Sequence, residues 1–338
     1  MIRAMPQVSV ILPVYNVAPH IEATINSLLT QTLRDFELLV LDDCSTDDTA
    51  AIVERLAVTD ARLRFFRNPH NLGRAGTDNV ALTYATGEFI AKMDGDDICH
   101  PERLARQVAY LAQHPDINVV GSWMQNFGAS DYLNRYPAGS ADAQVLTLFT
   151  LPTGNPSVML RATLFRKQGM QYDETLRQSE DYDFFARYLR QLRIHTLPEA
   201  LIRYRVPPDS GKKHILTERA TVADEVRERL MREWGVACSA RELYVHQVIS
   251  MLRPETPVPL AEVEAWLRKL LHHNETHPLF EPEALRRGLG ERWFEACYTY
   301  QQPRLGSLRQ FWQSKLGRGQ QLLNSQLLKL LLKSVRSF

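Results

Sequence analysis

The sequence predicts an α/β protein with a mostly parallel β-sheet and helices on both faces. Two observations predict it: short apolar, β-branched runs alternate with segments of helical periodicity over residues 8–93, and acidic clusters follow two of these runs directly. The chain has 338 residues and 44% hydrophobic character, which is enough to bury one large core or two moderate ones. Ligands of such sheets bind at the carboxyl ends of the strands, where the acidic clusters fall.

The first half of the chain predicts four strands and three helices in alternation. The run VSVILPVYN (8–16) has the pattern of a strand buried on both faces, and Pro13 marks its end. Apolar residues at helical spacing follow over 18–32, and FELLVLDD (36–43) predicts the second strand. The same order then repeats with a helix over 46–57, the strand LRFFRN, a helix over 76–85 and the strand EFIAKM. This alternation predicts right-handed crossovers.

The later elements are less regular. A helix begins after Pro101, INVVGSWMQNF and NPSVMLR predict strands, and SEDYDFFARYLRQL predicts a helix capped by Ser179. The Pro/Gly/Lys-containing segment 203–214 is interpreted as a mobile linker, and the pattern beyond it is almost wholly helical. We therefore expect a catalytic domain over 1–214 and a helical extension over 215–338.

Composition excludes several classes of protein. A net charge of +1 provides no overall field for nucleic acid. The cysteines are too far apart to form a zinc knuckle or a redox pair, which favours a reducing, cytoplasmic environment; they are Cys44, Cys99, Cys238 and Cys297. There is no cleavable leader pattern and no run of about 18 apolar residues, so we expect neither export nor a membrane span.

The acidic run DGDD places Asp94, Asp96 and Asp97 directly after a buried strand. A turn and a helix cap would account for a single Asp-Gly pair. Three neighbouring carboxylates repel one another unless a cation or a hydrogen-bond donor lies between them. Mg²⁺ or Mn²⁺ would supply that charge and would complete its shell with phosphate oxygens. The run therefore predicts a site for a nucleotide diphosphate derivative.

Four segments together resemble the inverting glycosyltransferases of family 2, of the bacterial surface-polysaccharide type. They are VSVILPVYN, LLVLDDCSTDDT, NLGRAGTDNVALTYATGEFIAKMDGDD and SEDYDFFARYL, and the resemblance covers roughly residues 7–205. It implies a GT-A fold and transfer of a sugar from a nucleotide-sugar donor, most often a UDP-sugar, to a hydroxyl of a glycan or lipid-linked saccharide. The absence of a glycine-rich dinucleotide fingerprint argues against a dehydrogenase.

The resemblance also implies which residues bind the donor. Pro13 and Tyr15 would flank the base, and Asp42, together with Asp43, would accept the imide N–H of uracil or thymine. Helix capping is the alternative for Asp43 and the favoured interpretation of Asp47 and Asp48. In NLGRAG, Gly73 provides a turn beside Arg74, which would reach the pyrophosphate unless it is an ordinary surface arginine. Asn79 is a further candidate contact of the donor.

For the metal and the chemistry, the resemblance implies a division between two acidic groups. Asp94 would contact the ribose or the metal, Gly95 would let the donor approach closely, Asp96 would be the metal ligand, and Asp97 would assist or cap a helix. The cation would neutralise the departing diphosphate. In SED, Asp181 would be the general base and Glu180 would orient the acceptor or the base. The alternative is that both simply favour a helix N-terminus.

The remaining features admit two interpretations each. Lys212 and Lys213 either contact the diphosphate or are solvent-exposed linker residues. His273 and His277 have helical spacing, but a solvated turn is favoured over zinc. The basic tail from Ala296 either packs on the catalytic domain or makes peripheral contact with an anionic membrane at its inner face. The rival functions are a sugar-phosphate nucleotidyltransferase and a non-catalytic nucleotide-sugar-binding protein.

Overall fold

The computed structural model describes residues 5–208, 213–252, 256, 258–300 and 306–317. Its contacts divide the chain into two compact units. The first, the α/β unit, comprises Met1–Ala143 and Leu151–Ala223; the second, the helical unit, comprises Gln144–Thr150 and Asp224–Phe338. The short segment 144–150 thus belongs to the helical unit although the flanking chain does not.

The α/β unit contains the predicted alternation of strands and helices. Its strands are β1 (Val8–Val14), β2 (Phe36–Asp42), β3 (Leu63–Arg67), β4 (Phe89–Lys92), β5 (Ile98–Cys99), β6 (Val119–Gly128), β7 (Leu133–Asn134), β8 (Met159–Arg161) and β9 (Ile194–Val206). Its helices are α1 (Ala18–Leu29), α2 (Thr49–Ala57), α3 (Gly73–Tyr84), α4 (Arg103–Gln113), α6 (Thr163–Arg166) and α7 (Glu180–Arg187), while α5 (Ser140–Leu146) and α8 (Lys213–Trp234) cross the unit boundary.

The sheet has the strand order β3-β2-β1-β4-β8-β6-β9-β5, with β7 paired to β6. The first four strands are parallel, as the sequence predicts. The other half is mixed, because β8 runs antiparallel to both β4 and β6. The result is a GT-A-like α/β fold in which the half formed by β3, β2, β1 and β4 has the expected parallel order.

The central strands are buried on both faces because their successive apolar residues point to opposite sides of the sheet. Val10 and Leu12 of β1 pack into a core with Ile21 and Ile25 of α1, whereas Ile11 packs into a second core on the opposite face with residues of α3. Full burial of each such side chain stabilises the fold by about 1.5–3 kcal/mol. This two-sided packing fixes the carboxyl ends of β1, β2 and β4 at one rim.

One predicted boundary is wrong. Arg203 to Val206, interpreted from sequence as the start of a linker, continue β9 and pair with Gln125 to Gly128 of β6. The two prolines that follow end the strand, since proline cannot donate to a ladder. The parallel β6–β9 pair thereby adds to the α/β unit a long strand that the sequence pattern concealed.

The helical unit contains α9 (Ala240–Met251), α10 (Leu260–Thr276), α11 (Pro282–Tyr300) and α12 (Gly306–Gln313). Its buried polar centre is His246, which contacts the Leu148 carbonyl at 2.9 Å and accepts the Trp266 indole N–H at 3.1 Å. Among the described helices, none combines the length and apolar character that crossing a membrane requires. Most of the basic tail lies outside the described residues.

Candidate active site

The loops that follow β1 and β2 meet at the rim of the sheet in strained backbone conformations. Asn16 and Cys44 have φ values of 52° and 65°, in the left-handed region that non-glycine residues seldom adopt. The Asn16 side chain holds the two loops together by accepting the Thr46 N–H at 2.8 Å. Such strain persists only where the surrounding structure imposes it, and it concentrates at functional sites.

The predicted base-binding residues differ in their exposure to solvent. Tyr15 is half exposed beyond the end of β1, and Pro13 is partly buried within that strand. Asp42, however, has no exposed surface, and its carboxylate accepts the Ser45 N–H and pairs with Arg67 Nε at 3.1 Å. Asp42 is therefore placed to position Arg67, whose side chain is half exposed at the same rim.

Asp43 organises the loop that leads into α3. One carboxylate oxygen accepts the Leu72 N–H at 2.8 Å, and the other accepts the Gly73 N–H at 3.0 Å. Gly73 has a φ of 75°, which explains the need for glycine at this turn. The neighbouring acid Asp47 accepts the Thr49 N–H at the start of α2, in agreement with its predicted capping role, whereas Asp48 makes no side-chain cap.

Asn79 does not face the rim. Its amide nitrogen donates to the Tyr172 carbonyl and to Glu174, and its oxygen accepts the Tyr172 N–H. These bonds tie α3 to the segment before α7. These hydrogen bonds give Asn79 a structural role, and its predicted contact with the donor stays a prediction.

The DGDD loop is packed closely beneath the rim. A Cβ atom on Gly95 would lie 3.1 Å from both Val14 and Val17, so glycine lets the loop approach the end of β1. Asp97 is fully buried and accepts the Arg205 N–H of β9 at 2.8 Å, while its other oxygen has no partner in the described part of the chain. Asp97 does not cap α4, which begins at Arg103.

Two carboxylates of the DGDD loop, those of Asp96 and Asp97, are disfavoured in their charged form. Burial and then the charge of Asp94 raise the pKa of Asp97 to about 9, and the same two causes raise that of Asp96. A positive group lies behind them: Arg103 is completely buried and donates to the Lys92 carbonyl at 2.8 Å. The loop therefore favours additional positive charge at its open side.

Arg74 joins the two acidic groups that the sequence analysis treats separately. Its Nη1 atom lies 3.2 Å from Asp94 Oδ2, and its Nε atom lies 3.6 Å from Glu180 Oε1. The side chain is half exposed, so it can also reach a ligand in the rim. The structure thus brings the end of β4 and the start of α7 into one site.

Asp181 and Glu180 occupy different environments within the first turn of α7. Asp181 is partly exposed and accepts the Tyr182 N–H at 2.7 Å, whereas Glu180 is buried. Ser179 precedes them with a φ of 58°, and its hydroxyl donates to the Arg219 carbonyl instead of capping α7 as predicted. The third acid of this turn, Asp183, is fully buried and paired with Arg187, so it is less accessible than Asp181.

Glu180 gives the site a predicted pH signature. Burial and the charge of Asp181 raise its pKa from 4.5 to about 7, so the folded protein holds this proton more tightly than the unfolded chain. Its contribution to stability is full below pH 4.5 and is lost as the pH rises through 7, at up to about 1.4 kcal/mol per pH unit. We expect Glu180→Gln to remove this slope in melting temperatures measured from pH 5 to 8.

The exposed Glu88 provides a matched control for that experiment. Glu88→Gln should leave the pH dependence of the melting temperature unchanged. A Glu180→Gln protein with the wild-type slope would show that Glu180 ionises normally.

The acidic residues of the DGDD loop could hold a divalent cation only if a bound ligand supplied further coordinating oxygens. Within the described residues, no group of three or more acidic, histidine or cysteine side chains is arranged to hold a metal ion. The carboxylate chemistry, the raised pKa of Asp96 and the unpartnered oxygen of Asp97 nevertheless favour a hard cation. One or two carboxylates with phosphate oxygens would suffice for Mg²⁺ or Mn²⁺.

Sequence reasoning missed a buried ion pair behind the site. Lys92 of β4 pairs with Asp78 of α3, both are essentially inaccessible to solvent, and the ammonium lies 4.7 Å from the centre of the Tyr172 ring. Burial alone would lower the pKa of Lys92, but the charge of Asp78 raises it above its ordinary value. The lysine within the apolar run EFIAKM was the available signal, since a charge in a buried strand requires a partner.

Two further predictions concern the pairs Lys212/Lys213 and His273/His277. Lys212 lies outside the described residues, as does the side chain of Lys213. The rings of His273 and His277 are stacked with centres 4.5 Å apart, and His273 contacts the Trp234 carbonyl while His277 contacts Thr276. His273 thus lies in the last turn of α10 and His277 at its C-terminal cap, where the sequence analysis favours a solvated turn.

The fold and the acidic rim define a GT-A glycosyltransferase, and comparisons with known proteins agree. The family model described as glycosyl transferase family 2 matches residues 9–171. EpsE of Bacillus subtilis (strain 168), named as a glycosyltransferase, is 33% identical over 215 residues, which cover 63% of this chain and 77% of EpsE. The chain belongs to glycosyl transferase family 2.

Solved structures support the fold over most of the chain. Residues 1–349 of S. aureus TarS, in complex with UDP-GlcNAc, have a TM-score of 0.56 and 21% identity, covering 90% of this chain and 92% of that one. The mannosyltransferase PcManGT of Pyrobaculum calidifontis, in complex with GDP-Man and Mn²⁺, has a TM-score of 0.56 and 20% identity, covering 98% and 88% respectively.

Proposed function

We propose that this glycosyltransferase is metal-dependent and inverting, and that it moves a sugar from a UDP-sugar to a hydroxyl of a surface glycan or lipid-linked saccharide. The observation that carries the proposal is the Arg74 bridge between Asp94 and Glu180. Family membership removes the nucleotidyltransferase alternative. The UDP-GlcNAc complex of TarS and the Mn²⁺ complex of PcManGT support the choice of donor and cofactor class.

In the proposed donor site, Tyr15 and Pro13 bind the base and Arg67 lies at its edge. Asp42 positions Arg67, and Asp43 holds the Gly73 turn beside Arg74. Arg74 donates to the diphosphate. Asp96, with Asp94, would hold the metal ion, which when bound neutralises charge on the diphosphate.

The proposed acceptor reaction uses the other side of the site. The acceptor oxygen attacks C1 of the donor sugar while its proton passes to the Asp181 carboxylate. The bond from C1 to the diphosphate oxygen breaks, and its electron pair leaves with the nucleotide. Glu180, held by Arg74, orients Asp181 and the acceptor. One displacement of this kind inverts the configuration at C1.

Donor binding tests the proposal first. A ligand that binds only the folded state raises the melting temperature, so UDP-, GDP- and dTDP-sugars can be compared with and without Mn²⁺. We expect the largest rise with a UDP-sugar and Mn²⁺ together. Stabilisation by guanosine donors alone would contradict the choice of a pyrimidine nucleotide.

Asp96→Asn separates metal binding from the fold. Removing this charge should abolish most of the additional stabilisation that Mn²⁺ gives to the donor complex, because the amide is a weaker ligand of a hard cation. The melting temperature without ligand should not fall, since burial and the charge of Asp94 raise the pKa of the native Asp96. Undiminished Mn²⁺ dependence would remove Asp96 as the ligand.

A further inference from the structure

The mixed half of the sheet has one face that is partly open to solvent. Burial alternates along β6, where Met124 lies in the core and Phe127 is half-buried. Because successive residues of a strand point to opposite sides, every second residue of β6 from Trp123 onward faces away from that core. Arg203 and Arg205 of β9 pair side by side with residues of β6 and extend this face. The arginine face, as we call it, comprises Trp123, Gln125, Phe127, Arg135, Arg203 and Arg205.

Aromatic rings hold the three arginines of this face. The guanidinium carbons of Arg203 and Arg205 lie 4.7 Å and 4.5 Å from the centre of the Phe127 ring. That of Arg135 lies 5.5 Å from the centre of the Trp123 ring. Each contact of this kind is worth about 0.5–1 kcal/mol at an exposed site. The face thus presents its guanidinium groups in defined positions.

The positive charge of the arginine face is largely uncompensated. Within the described residues, none of its three arginines forms an ion pair with a carboxylate, whereas surface arginines such as Arg55 and Arg106 do. A hydrogen bond ties one acid to the face, since Asp131 accepts the Gln125 amide N–H at 2.6 Å. Guanidinium groups bind carboxylate and phosphate oxygens through paired hydrogen bonds. The face therefore suits a ligand that carries more than one anionic group.

The arginine face adjoins the acidic loop of the candidate active site. The Arg205 N–H donates to Asp97 at 2.8 Å, and Arg205 Nε donates to the Asp96 carbonyl at 2.8 Å. A ligand that lies along β6 and β9 would therefore end at the DGDD loop. A saccharide chain matches this arrangement, because its C–H groups pack on aromatic rings while one end reaches the loop. A broad membrane surface would not deliver a hydroxyl there.

We propose that the arginine face binds an anionic glycan, and that the acceptor of this glycosyltransferase is a saccharide chain bearing carboxylate or phosphate groups. This inference rests on the proposed function and names its class of acceptor. Arg135 and Arg203 bind anionic groups along the chain, and Arg205 holds its end beside the DGDD loop. Charge complementarity then selects anionic chains over neutral ones.

Calorimetric titration of the full chain tests this acceptor class. The probes are oligogalacturonate, a phosphorylated malto-oligosaccharide and a neutral malto-oligosaccharide of the same length, without Mn²⁺, which carboxylates would bind. We expect an anionic probe to bind more tightly than the neutral one, and the tighter of the two anionic probes identifies the anionic group. Arg135→Gln and Arg203→Gln should each weaken that affinity by about twofold to fivefold, the usual effect of one exposed ion pair. The loss should shrink as the salt concentration rises.

Arg190→Gln is the matched control, since Arg190 is exposed beyond the end of α7 and outside the arginine face. It should leave each affinity unchanged. Equal affinity for the neutral and anionic probes, or unchanged affinity in both Arg135→Gln and Arg203→Gln, would overturn the inference. Binding of anionic phospholipid vesicles that both variants weaken, without binding of either anionic glycan, would assign the face to a membrane instead.

Nucleotide binding separates this inference from the proposed function. Arg135→Gln and Arg203→Gln lie outside the proposed donor site, so a nucleotide-sugar should raise the melting temperature of both as much as that of the wild type. Failure of every nucleotide-sugar to stabilise the wild type would overturn the proposed function whatever the glycans do. Failure of the glycans alone would overturn only the acceptor class.

Discussion

Asp181→Asn is expected to lower sugar transfer by at least about 10²–10⁴-fold, the usual loss for a general base. The side chain is partly exposed at the start of α7 and accepts only the adjacent Tyr182 N–H in the described residues. The amide is nearly isosteric but cannot take the acceptor proton. Because the proposed role of Asp181 is to take the acceptor proton and not to bind the donor or the metal ion, donor and Mn²⁺ affinities should remain near those of the wild type.

Single-turnover transfer and calorimetric donor titration check this prediction together. Asp48→Asn is the control, because Asp48 is exposed at the start of α2 and makes no side-chain cap there. It should transfer at the wild-type rate. An Asp181→Asn protein that binds donor normally and also transfers normally would eliminate Asp181 and leave Glu180 as the candidate base, since Asp183 is buried against Arg187.

Lys92→Met is expected to destabilise the α/β unit by about 3–5 kcal/mol, the cost of leaving one member of a buried ion pair unpartnered. Asp78 would lose its cation in a site with no exposed surface, where its Oδ1 atom already lacks a hydrogen-bond partner in the described chain. The double variant Lys92→Met/Asp78→Leu should recover most of the loss, because it removes both charges. Urea unfolding of the three proteins measures the difference.

The pH dependence of the free energy of unfolding tests the Lys92–Asp78 pair in a second way. Without Lys92 the pKa of Asp78 rises further above its ordinary value, so the folded variant gains stability by binding a proton. The deficit of Lys92→Met should therefore be larger at pH 8 than at pH 5. Lys269→Met is the control, because its pair with Glu242 is partly exposed and worth about 0–1 kcal/mol. Equal losses of unfolding free energy in Lys92→Met and Lys269→Met would contradict a buried ion pair between Lys92 and Asp78.

The half of the sheet formed by β1 to β4 could be predicted because local patterns determine it. The apolar runs of β1, β2 and β4 have no other way to be buried than between two layers of helices, so the acidic residues that follow them necessarily share a rim. Gly73 was identifiable for a similar reason, since a glycine turn before a helix suggests positive φ. These features depend on residues close together in the chain.

The rest of the site depends on partners far apart in the chain. Asp42 was predicted to contact the base, whereas in the structure it has no exposed surface and pairs with Arg67. β9 was hidden because the prolines after Val206 dominate the local pattern, while its pairing with β6 is long-range.

The configuration of the sugar released from the donor tests the proposed displacement most directly. Slow hydrolysis of the stabilising nucleotide-sugar, with water as the acceptor, can be followed by proton NMR before the free sugar mutarotates. Direct attack on the face opposite the diphosphate predicts that the first anomer to appear is the reverse of the one in the donor. First appearance of the donor's own anomer would contradict a single displacement with Asp181 as the base.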